Sequence, residues 1–248
     1  MNIIAMIPAR YAAQRFPGKL MQPLGNKTVI RHTYDNTLAT GLFDEVVVVT
    51  DSDIIYREIS GHGGKAVMSK KEHESGTDRI AEALGEMDVD IVVNVQGDEP
   101  FVQKRPLEQL LALFGGEEGQ EVRVGSLVQV LSESFIDDPN YVKVTLAGNG
   151  NALFFSRSVI PYPRDKEVVH PYYEHIGVYA FRKEALLLFS SWGVSPLESV
   201  ERIECLRFLE HGVPIKMAIA DKGYQAIEID TPADLERAAA EMAKGFRY

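Results

Sequence analysis

The chain has 248 residues, a formal net charge of −10 at pH 7 and 25% charged residues, which is the composition of a globular protein with a substantial core. This negative charge argues against a broad nucleic-acid-binding surface. No apolar run comes near the roughly 20 residues of a membrane span, which argues against membrane insertion. A single cysteine excludes an intrachain disulfide and a cysteine-based metal cage. The N-terminus enters a predicted strand at once with no signal-peptide layout, so the sequence predicts a cytoplasmic protein.

The first 34 residues predict a strand, a basic loop and a helix. Residues 2–7 are almost wholly apolar, as in a buried parallel strand, and an apolar helical pattern runs from residue 29 to a stop at Gly41. The loop between them carries Arg10, Arg15 and Lys19, and no acidic residue occurs before position 35. A positive loop in an acidic protein suits a polyphosphate, although it matches neither the Walker nor the dinucleotide-binding motif.

Two polar segments follow as the chain continues through predicted strands at 45–50 and 65–68. The first, His73 to Arg79, leads into a helix that Ser75 or Thr77 could cap, and Gly76 would allow a ligand to approach the backbone. This segment also has a purely structural interpretation as a capped helix start.

The second polar segment follows residues 89–95, the predicted central strand. It runs directly into Gln96, Gly97 and Asp98. Because open α/β sheets bind ligands beyond the carboxyl ends of their strands, Asp98 is predicted to lie at a ligand site. A polar turn closed by Pro100 is the alternative interpretation.

The middle of the chain predicts a helix through 107–114 and strands at 122–130, 142–146 and 152–155, the last two joined by a turn at 147–151. No linker bounds this antiparallel layer, so residues 1–248 are predicted to form a single domain. Arg157 ends a strand and suits either a carboxylate ligand or a structural salt bridge. His175, in a predicted strand at 172–181, is by itself more typical of a core histidine than of a ligand.

The C-terminal part predicts one helix with an apolar stripe over 197–209 and a solvated glutamate face formed by Glu198, Glu201 and Glu204. A strand at 225–229 then ends at Asp230. Thr231 is predicted to cap the last helix, so that Asp230 is not needed as a cap.

Five segments, in order along the chain, resemble the sugar nucleotidylyltransferases that use CTP, and among them the CMP-Kdo synthetases (3-deoxy-manno-octulosonate cytidylyltransferases). The matching patterns are I-P-A-R-Y-x-x-x-R-x-P-G-K from Ile7, H-x-S-G-T-D-R from His73, V-Q-G-D-E-P from Val95, S-R and H-I-G-V-Y within 154–179, and L-E-x-x-E-x-I-E from Leu197 with D-T-P-x-D-L-E from Asp230. Together they cover essentially the whole chain.

The resemblance implies a fold and a reaction. The implied fold is a three-layer α/β/α sandwich around a mixed, mainly parallel sheet, as in nucleotide-diphospho-sugar transferases, with an antiparallel portion for dimerisation. The implied reaction converts CTP and 3-deoxy-D-manno-octulosonate (Kdo) to CMP-Kdo and pyrophosphate, for lipopolysaccharide biosynthesis. The resemblance further implies a homodimer with small-molecule substrates. It implies no nucleic-acid partner and no membrane insertion.

The resemblance also implies roles for individual residues. Asp98 and Asp230 would hold Mg²⁺, and Arg10 and Lys19, assisted by Arg15, would stabilise the leaving pyrophosphate. Other residues implied to bind the substrates are Ala9, Ser75, Gly76, Arg79, Gln96, Arg157, His175, Tyr179 and Glu204.

Within this set, Arg157 would pair with the sugar carboxylate. Cys205 stands where the family has a glutamine, and Ala13 and Gln14 stand where relatives often have small hydroxyl residues. Three alternatives stay open from sequence: another sugar acid such as a sialic acid or 8-amino-Kdo, a different nucleotide sugar as product, and a module that binds a nucleotide without turnover.

Overall fold

The computed structural model describes residues 1–12, 16–71, 73, 75–85, 87–165, 167–222, 224 and 226–244. The chain divides into two compact units, one formed by Met1–Leu107 with Gln225–Tyr248 and the other by Glu108–Tyr224. We call them unit 1 and unit 2. A single domain over 1–248 stays a prediction.

Unit 1 contains a four-stranded parallel sheet in the order β6-β1-β4-β5. Its elements are β1 (Ile3–Ala9), β2 (Pro23–Leu24), β3 (Lys27–Thr28), α1 (Val29–Ala39), β4 (Glu45–Thr50), α2 (Asp53–Ser60), β5 (Ala66–Met68), α3 (Gly76–Leu84), β6 (Ile91–Asn94) and, at the C-terminus, α8 (Pro232–Ala243). β2 and β3 form a separate antiparallel pair. The helix α4 (Lys104–Ala112) begins in unit 1 and continues into unit 2.

The order of the strands in unit 1 places helices on both faces of its sheet. From β1 the chain moves through α1 to β4 and through α2 to β5, and α3 then carries it back to β6 on the other side of β1. Since parallel crossovers are right-handed, α1 and α2 cover one face and α3 covers the other. The reversal lies between β1 and β6, and ligands bind at such a switch point in open α/β sheets.

The strands of this sheet form because their side chains are buried on both faces. Ala5, Ile7, Val48 and Val93 are fully inaccessible, as the apolar runs predicted. The helix boundaries follow their caps: the Ser75 side chain accepts a hydrogen bond from the backbone N–H of Asp78, so Ser75 is the cap of α3.

Unit 2 contains a mixed sheet in which β7 has β11 parallel on one side and β10 antiparallel on the other. β8 pairs antiparallel with both β10 and β9, which confirms the predicted antiparallel layer. The elements of unit 2 are β7 (Val124–Val130), β8 (Lys143–Leu146), β9 (Ala152–Ser156), β10 (Tyr173–Arg182), α5 (Lys183–Ser191), α6 (Pro196–Glu201), α7 (Leu206–Glu210) and β11 (Ile215–Ile219). The predicted α/β class with a mixed sheet is thereby confirmed.

Two predicted elements differ from the structure. The single helix over 197–209 is two short helices, because Arg202 adopts a left-handed conformation with φ 55° and ends α6. The predicted apolar stripe is wrong at its start, since Val200 is 81% exposed, and the solvated face is wrong at Glu198, which is buried. The described residues 226–229 form no regular strand.

Among the described residues, none of the helices combines the length and the apolar character that crossing a membrane would need.

Candidate functional site

A pocket of about 180 Å³ lies where β1 and β6 end in unit 1. Eight of the predicted site residues line it: Ala9, Arg10, Lys19, Ser75, Gly76, Arg79, Gln96 and Asp98. Arg15 lies outside the described residues. These residues lie together because segments that follow parallel strands converge at one edge of the sheet whatever their separation along the chain.

Gly97 is required by the close packing of the two segments that form the pocket. A Cβ atom at Gly97 would lie 2.9 Å from the carbonyl oxygen of Pro8, closer than such atoms approach. The Thr33 hydroxyl donates a hydrogen bond of 2.9 Å to the carbonyl of Gly97 and ties the turn to α1. The backbone before Asp98 is consequently fixed by packing on one side and by a hydrogen bond on the other.

Lys19, Asp98 and Asp230 meet at the pocket although they are up to 211 positions apart in the chain. The Lys19 Nζ forms ion pairs with a carboxylate oxygen of Asp98 and, at 2.8 Å, with Asp230 Oδ1. Burial acts to lower the pKa of Lys19, but the two carboxylates together outweigh it and raise that pKa. The basic loop, which is followed by no acidic residue before position 35, thus finds acidic partners for Lys19 in segments far along the chain.

Asp230 is held in place by its neighbours. The backbone N–H of Ile229 donates a 3.0 Å hydrogen bond to the carbonyl of Asp98, which joins the two segments directly. The Asp234 carboxylate accepts hydrogen bonds from the backbone N–H groups of Asp230 and Thr231, at 3.1 and 2.8 Å. Thr231 caps α8 as predicted, so the Asp230 side chain is available for the pocket.

Three carboxylates at this place could hold a divalent cation. Asp98, Glu228 and Asp230 each offer an oxygen, and these oxygens lie within 4.8 Å of one another. Oxygen donors of this kind match the preference of Mg²⁺, so the residues present fit the predicted metal. Glu228 was not among the residues predicted from sequence. Its signal is its spacing of two from Asp230, across the buried Ile229.

The remaining pocket residues favour an anion. The N-terminus of α3 opens into the pocket through Ser75 and Gly76, and the backbone N–H groups at a helix N-terminus attract negative charge. Arg10 is exposed at the end of β1. Arg79 is only 4% exposed, because its guanidinium donates to Ser69 Oγ and to an Asp51 carboxylate oxygen, both at 2.7 Å. Its direct contact with a nucleotide stays a prediction.

In unit 2, Arg157 is fixed by the backbone around it. Its guanidinium donates to the carbonyls of Glu201, Pro139 and Arg202, at 2.8, 2.9 and 3.4 Å. A guanidinium has five N–H donors, so these three bonds leave two for a ligand. These contacts are to backbone carbonyls and differ from the structural salt bridge that the sequence left open, while binding of a sugar carboxylate stays a prediction.

Three other sugar-acid candidates, His175, Tyr179 and Glu204, belong to unit 2. The rings of His175 and Tyr179 lie 5.2 Å apart, and Tyr179, Glu204 and Cys205 are near enough to influence one another's pKa. Burial, above all, raises the pKa of Tyr179 and of the Cys205 thiol, which is 1% exposed. Cys205 is therefore a protonated core residue that cannot replace the polar amide of a glutamine.

His175 is a neutral imidazole. Burial lowers its pKa to about 3, and its Nε2 lies 3.0 Å from the Ser126 hydroxyl. The single proton of that hydroxyl is donated to the Val178 carbonyl, at 2.9 Å. In the bond between Ser126 and His175 the donor is therefore His175 Nε2–H, and Nδ1 of the neutral ring is an acceptor.

The lowered pKa of His175 predicts that the folded protein loses stability in acid. The unfolded imidazole protonates near pH 6.5 and the folded one near pH 3, so the unfolded state binds more protons between these values and stability falls as the pH is lowered. In urea unfolding at pH 7, 6 and 5, His175 should contribute a slope of up to about 1.4 kcal/mol per pH unit, which His175→Gln removes while the contribution of His32, whose pKa burial also lowers, remains. The exposed His62→Gln control should keep it. Equal slopes in all three proteins would contradict the burial of a neutral His175.

Comparison with known proteins gives consistent matches along the chain. Residues 4–219 match the family model of cytidylyltransferases. A 3-deoxy-manno-octulosonate cytidylyltransferase of Flavobacterium johnsoniae is 56% identical, over 98% of this chain and 99% of the relative, and one of Christiangramia forsetii is 54% identical, over 96% and 95%. A solved CMP:2-keto-3-deoxy-manno-octonic acid synthetase complexed with CTP superposes with a TM-score of 0.92 at 36% identity, covering 98% of this chain and 99% of the other.

Proposed function

Because this chain belongs to the cytidylyltransferase family, and within it to the 3-deoxy-manno-octulosonate cytidylyltransferases, we propose that it couples CTP to Kdo and releases pyrophosphate. The product is CMP-Kdo, the activated sugar for lipopolysaccharide biosynthesis. The observation that carries this proposal is the pocket of unit 1, where Arg10, Lys19 and the N-terminus of α3 meet Asp98 and Asp230.

The proposed reaction is a displacement at phosphorus. The oxygen of the anomeric hydroxyl attacks the α-phosphorus of CTP, the bond from that phosphorus to the bridging oxygen of the β-phosphate breaks, and pyrophosphate leaves with the bonding electron pair. The hydroxyl releases its proton to water. Such a transfer needs positioning and neutralisation of charge more than covalent help from the protein.

The side chains of the pocket divide this work. Arg10 and Lys19 supply positive charge for the triphosphate, and it matters most as pyrophosphate separates. The backbone N–H groups at Ser75 and Gly76 add partial positive charge from α3. Asp98 and Asp230 would hold Mg²⁺, which when bound would neutralise phosphate charge and favour the ionised sugar hydroxyl.

The sugar acid is assigned to the residues of unit 2. Arg157 has two guanidinium N–H donors beyond those used by the backbone, enough to grip one carboxylate with two hydrogen bonds. His175 offers Nδ1 as a neutral acceptor for a hydroxyl, and Glu204 offers a carboxylate. Gln96 lines the pocket of unit 1, and its contact with the sugar hydroxyls is proposed from the resemblance.

A substrate panel tests the proposal. Purified protein is incubated with Mg²⁺ and CTP, UTP or ATP, each with Kdo, 8-amino-Kdo or N-acetylneuraminate, and pyrophosphate release is measured. We expect release with CTP and Kdo well above every other combination. If 8-amino-Kdo is turned over faster than Kdo, the proposed sugar substrate changes to 8-amino-Kdo, while the proposed reaction, cytidylyl transfer, stays the same. Binding of CTP without turnover of any sugar acid would instead favour a nucleotide-binding module.

Lys19→Ala should lower the turnover number far more than it raises the KM for CTP. The ammonium is positioned at the pocket by two carboxylates, and we expect it to act on the charge that develops on pyrophosphate. A loss of about 10²-fold in kcat matches removal of one such group. The exposed Lys65→Ala serves as control. A rise in KM for CTP with unchanged kcat would make Lys19 a ground-state binding residue.

Cytoplasmic location and a homodimer complete the proposal. The location follows from the use of CTP as substrate. For the dimer, unit 2 exposes large apolar side chains at Val130, Leu153, Tyr162 and Val169, the last of them 97% exposed. Light scattering on the purified protein measures its mass directly, and a monomeric mass at micromolar concentration would exclude the homodimer.

A further inference from the structure

We infer that Glu228 is a third carboxylate ligand of the divalent cation held by Asp98 and Asp230, an assignment that rests on the proposed function for the identity of the site. The first support is geometric. One oxygen from each of the three carboxylates lies within 4.8 Å of the other two. Ligands of an octahedral Mg²⁺ at about 2.1 Å are at most about 4.2 Å apart, so small side-chain movements bring all three oxygens onto one ion.

The backbone fixes Glu228 at this place. Ile229 is fully buried, and its N–H donates a 3.0 Å hydrogen bond to the carbonyl of Asp98. The residues on either side of Ile229 are Glu228 and Asp230, whose carboxylates both reach the Asp98 side chain. The anchored Ile229 therefore presents two carboxylates from one segment to a third carboxylate from another.

The net charge of the site distinguishes a cation held by two carboxylates from a cation held by three. Lys19 contributes one positive charge and is paired with both aspartates. Two aspartates with Lys19 carry a net charge of −1, whereas three carboxylates with Lys19 carry −2, which equals the charge of a divalent cation in size. Glu228 thus allows the cation to bind while the Lys19 ammonium stays at the pocket, ready for the phosphates of the nucleotide.

Metal binding without substrates tests this assignment. The metal-free full chain is titrated with Mn²⁺, which takes the same oxygen ligands as Mg²⁺, and free Mn²⁺ is measured by electron paramagnetic resonance with Mg²⁺ as competitor. We expect Glu228→Gln to weaken Mn²⁺ binding about tenfold or more. The control Glu236→Gln makes the same change at an exposed position of α8 and should bind like the wild type.

The outcomes decide the inference separately from the proposed function. If Glu228→Gln binds Mn²⁺ as tightly as Glu236→Gln, Glu228 is not a ligand, even when the wild type releases pyrophosphate from CTP with Kdo. If Asp98→Asn also keeps full affinity, the ion lies elsewhere and the inference fails as well. Weakened binding in Glu228→Gln supports Glu228 as a ligand even if the substrate panel reassigns the sugar. Circular dichroism and thermal unfolding of each variant establish that affinity is compared between folded proteins.

Discussion

Asp98→Asn is expected to lose at least about a hundredfold in turnover while the protein stays folded, the scale of losing one group that stabilises transition-state charge. The carboxylate pairs with Lys19 and lies next to the oxygens of Glu228 and Asp230. An asparagine has the same shape but carries no charge, so it neither neutralises Lys19 nor binds a hard cation well. Pyrophosphate release with saturating CTP, Kdo and Mg²⁺ measures the effect.

The matched control for this prediction is Asp88→Asn, the same substitution at an exposed position before β6. It should leave turnover unchanged, and Asp230→Asn should behave like Asp98→Asn because both aspartates hold the same ammonium. Near-normal turnover in Asp98→Asn, with an unchanged unfolding transition, would remove Asp98 from the catalytic residues.

Glu198→Gln is expected to destabilise the protein by about 3–5 kcal/mol, the scale of leaving a buried charge without its partner. Arg207 is 1% exposed and donates to both oxygens of Glu198, from Nε at 2.7 Å and from the second guanidinium nitrogen at 2.6 Å. Its guanidinium also lies 3.9 Å from the centre of the Phe189 ring. The free energy of unfolding from urea titration measures the loss.

A second substitution distinguishes the lost pair from lost packing. Glu198→Gln combined with Arg207→Met removes both charges, and we expect this double variant to recover part of the lost stability, since a methionine at the arginine position no longer buries a charge. Glu184→Gln, at an exposed position of α5, should change stability little. A double variant less stable than Glu198→Gln alone would show that Arg207 stabilises the fold chiefly through contacts other than the ion pair.

The buried pair of Glu198 and Arg207 also shows why the predicted solvated glutamate face was wrong. Three glutamates spaced three apart are typical of a solvated helix face, yet Glu198 closes the capping box of α6 and pairs with Arg207, and Glu201 accepts hydrogen bonds from Ser156 Oγ and the backbone N–H of Arg157. Periodicity assumes one continuous helix, and Arg202 interrupts it. The partners of these carboxylates come from other elements, which a local pattern does not reveal.

The amino-acid sequence by itself determined the α/β class, the four strands of the parallel sheet in unit 1, the capped starts of α3 and α8, and the edge of the sheet at which Lys19 and Asp98 lie. These features follow from local burial, capping and the convergence of parallel strands.

Only the tertiary structure decided how the charges at that edge are paired. It placed Lys19 between Asp98 and Asp230, brought Glu228 to them, fixed Arg79 on Asp51, and lowered the pKa of His175. The physical reason is that electrostatic interactions and desolvation depend on distance in space and on burial, whereas spacing along the chain fixes neither for residues that lie in different elements.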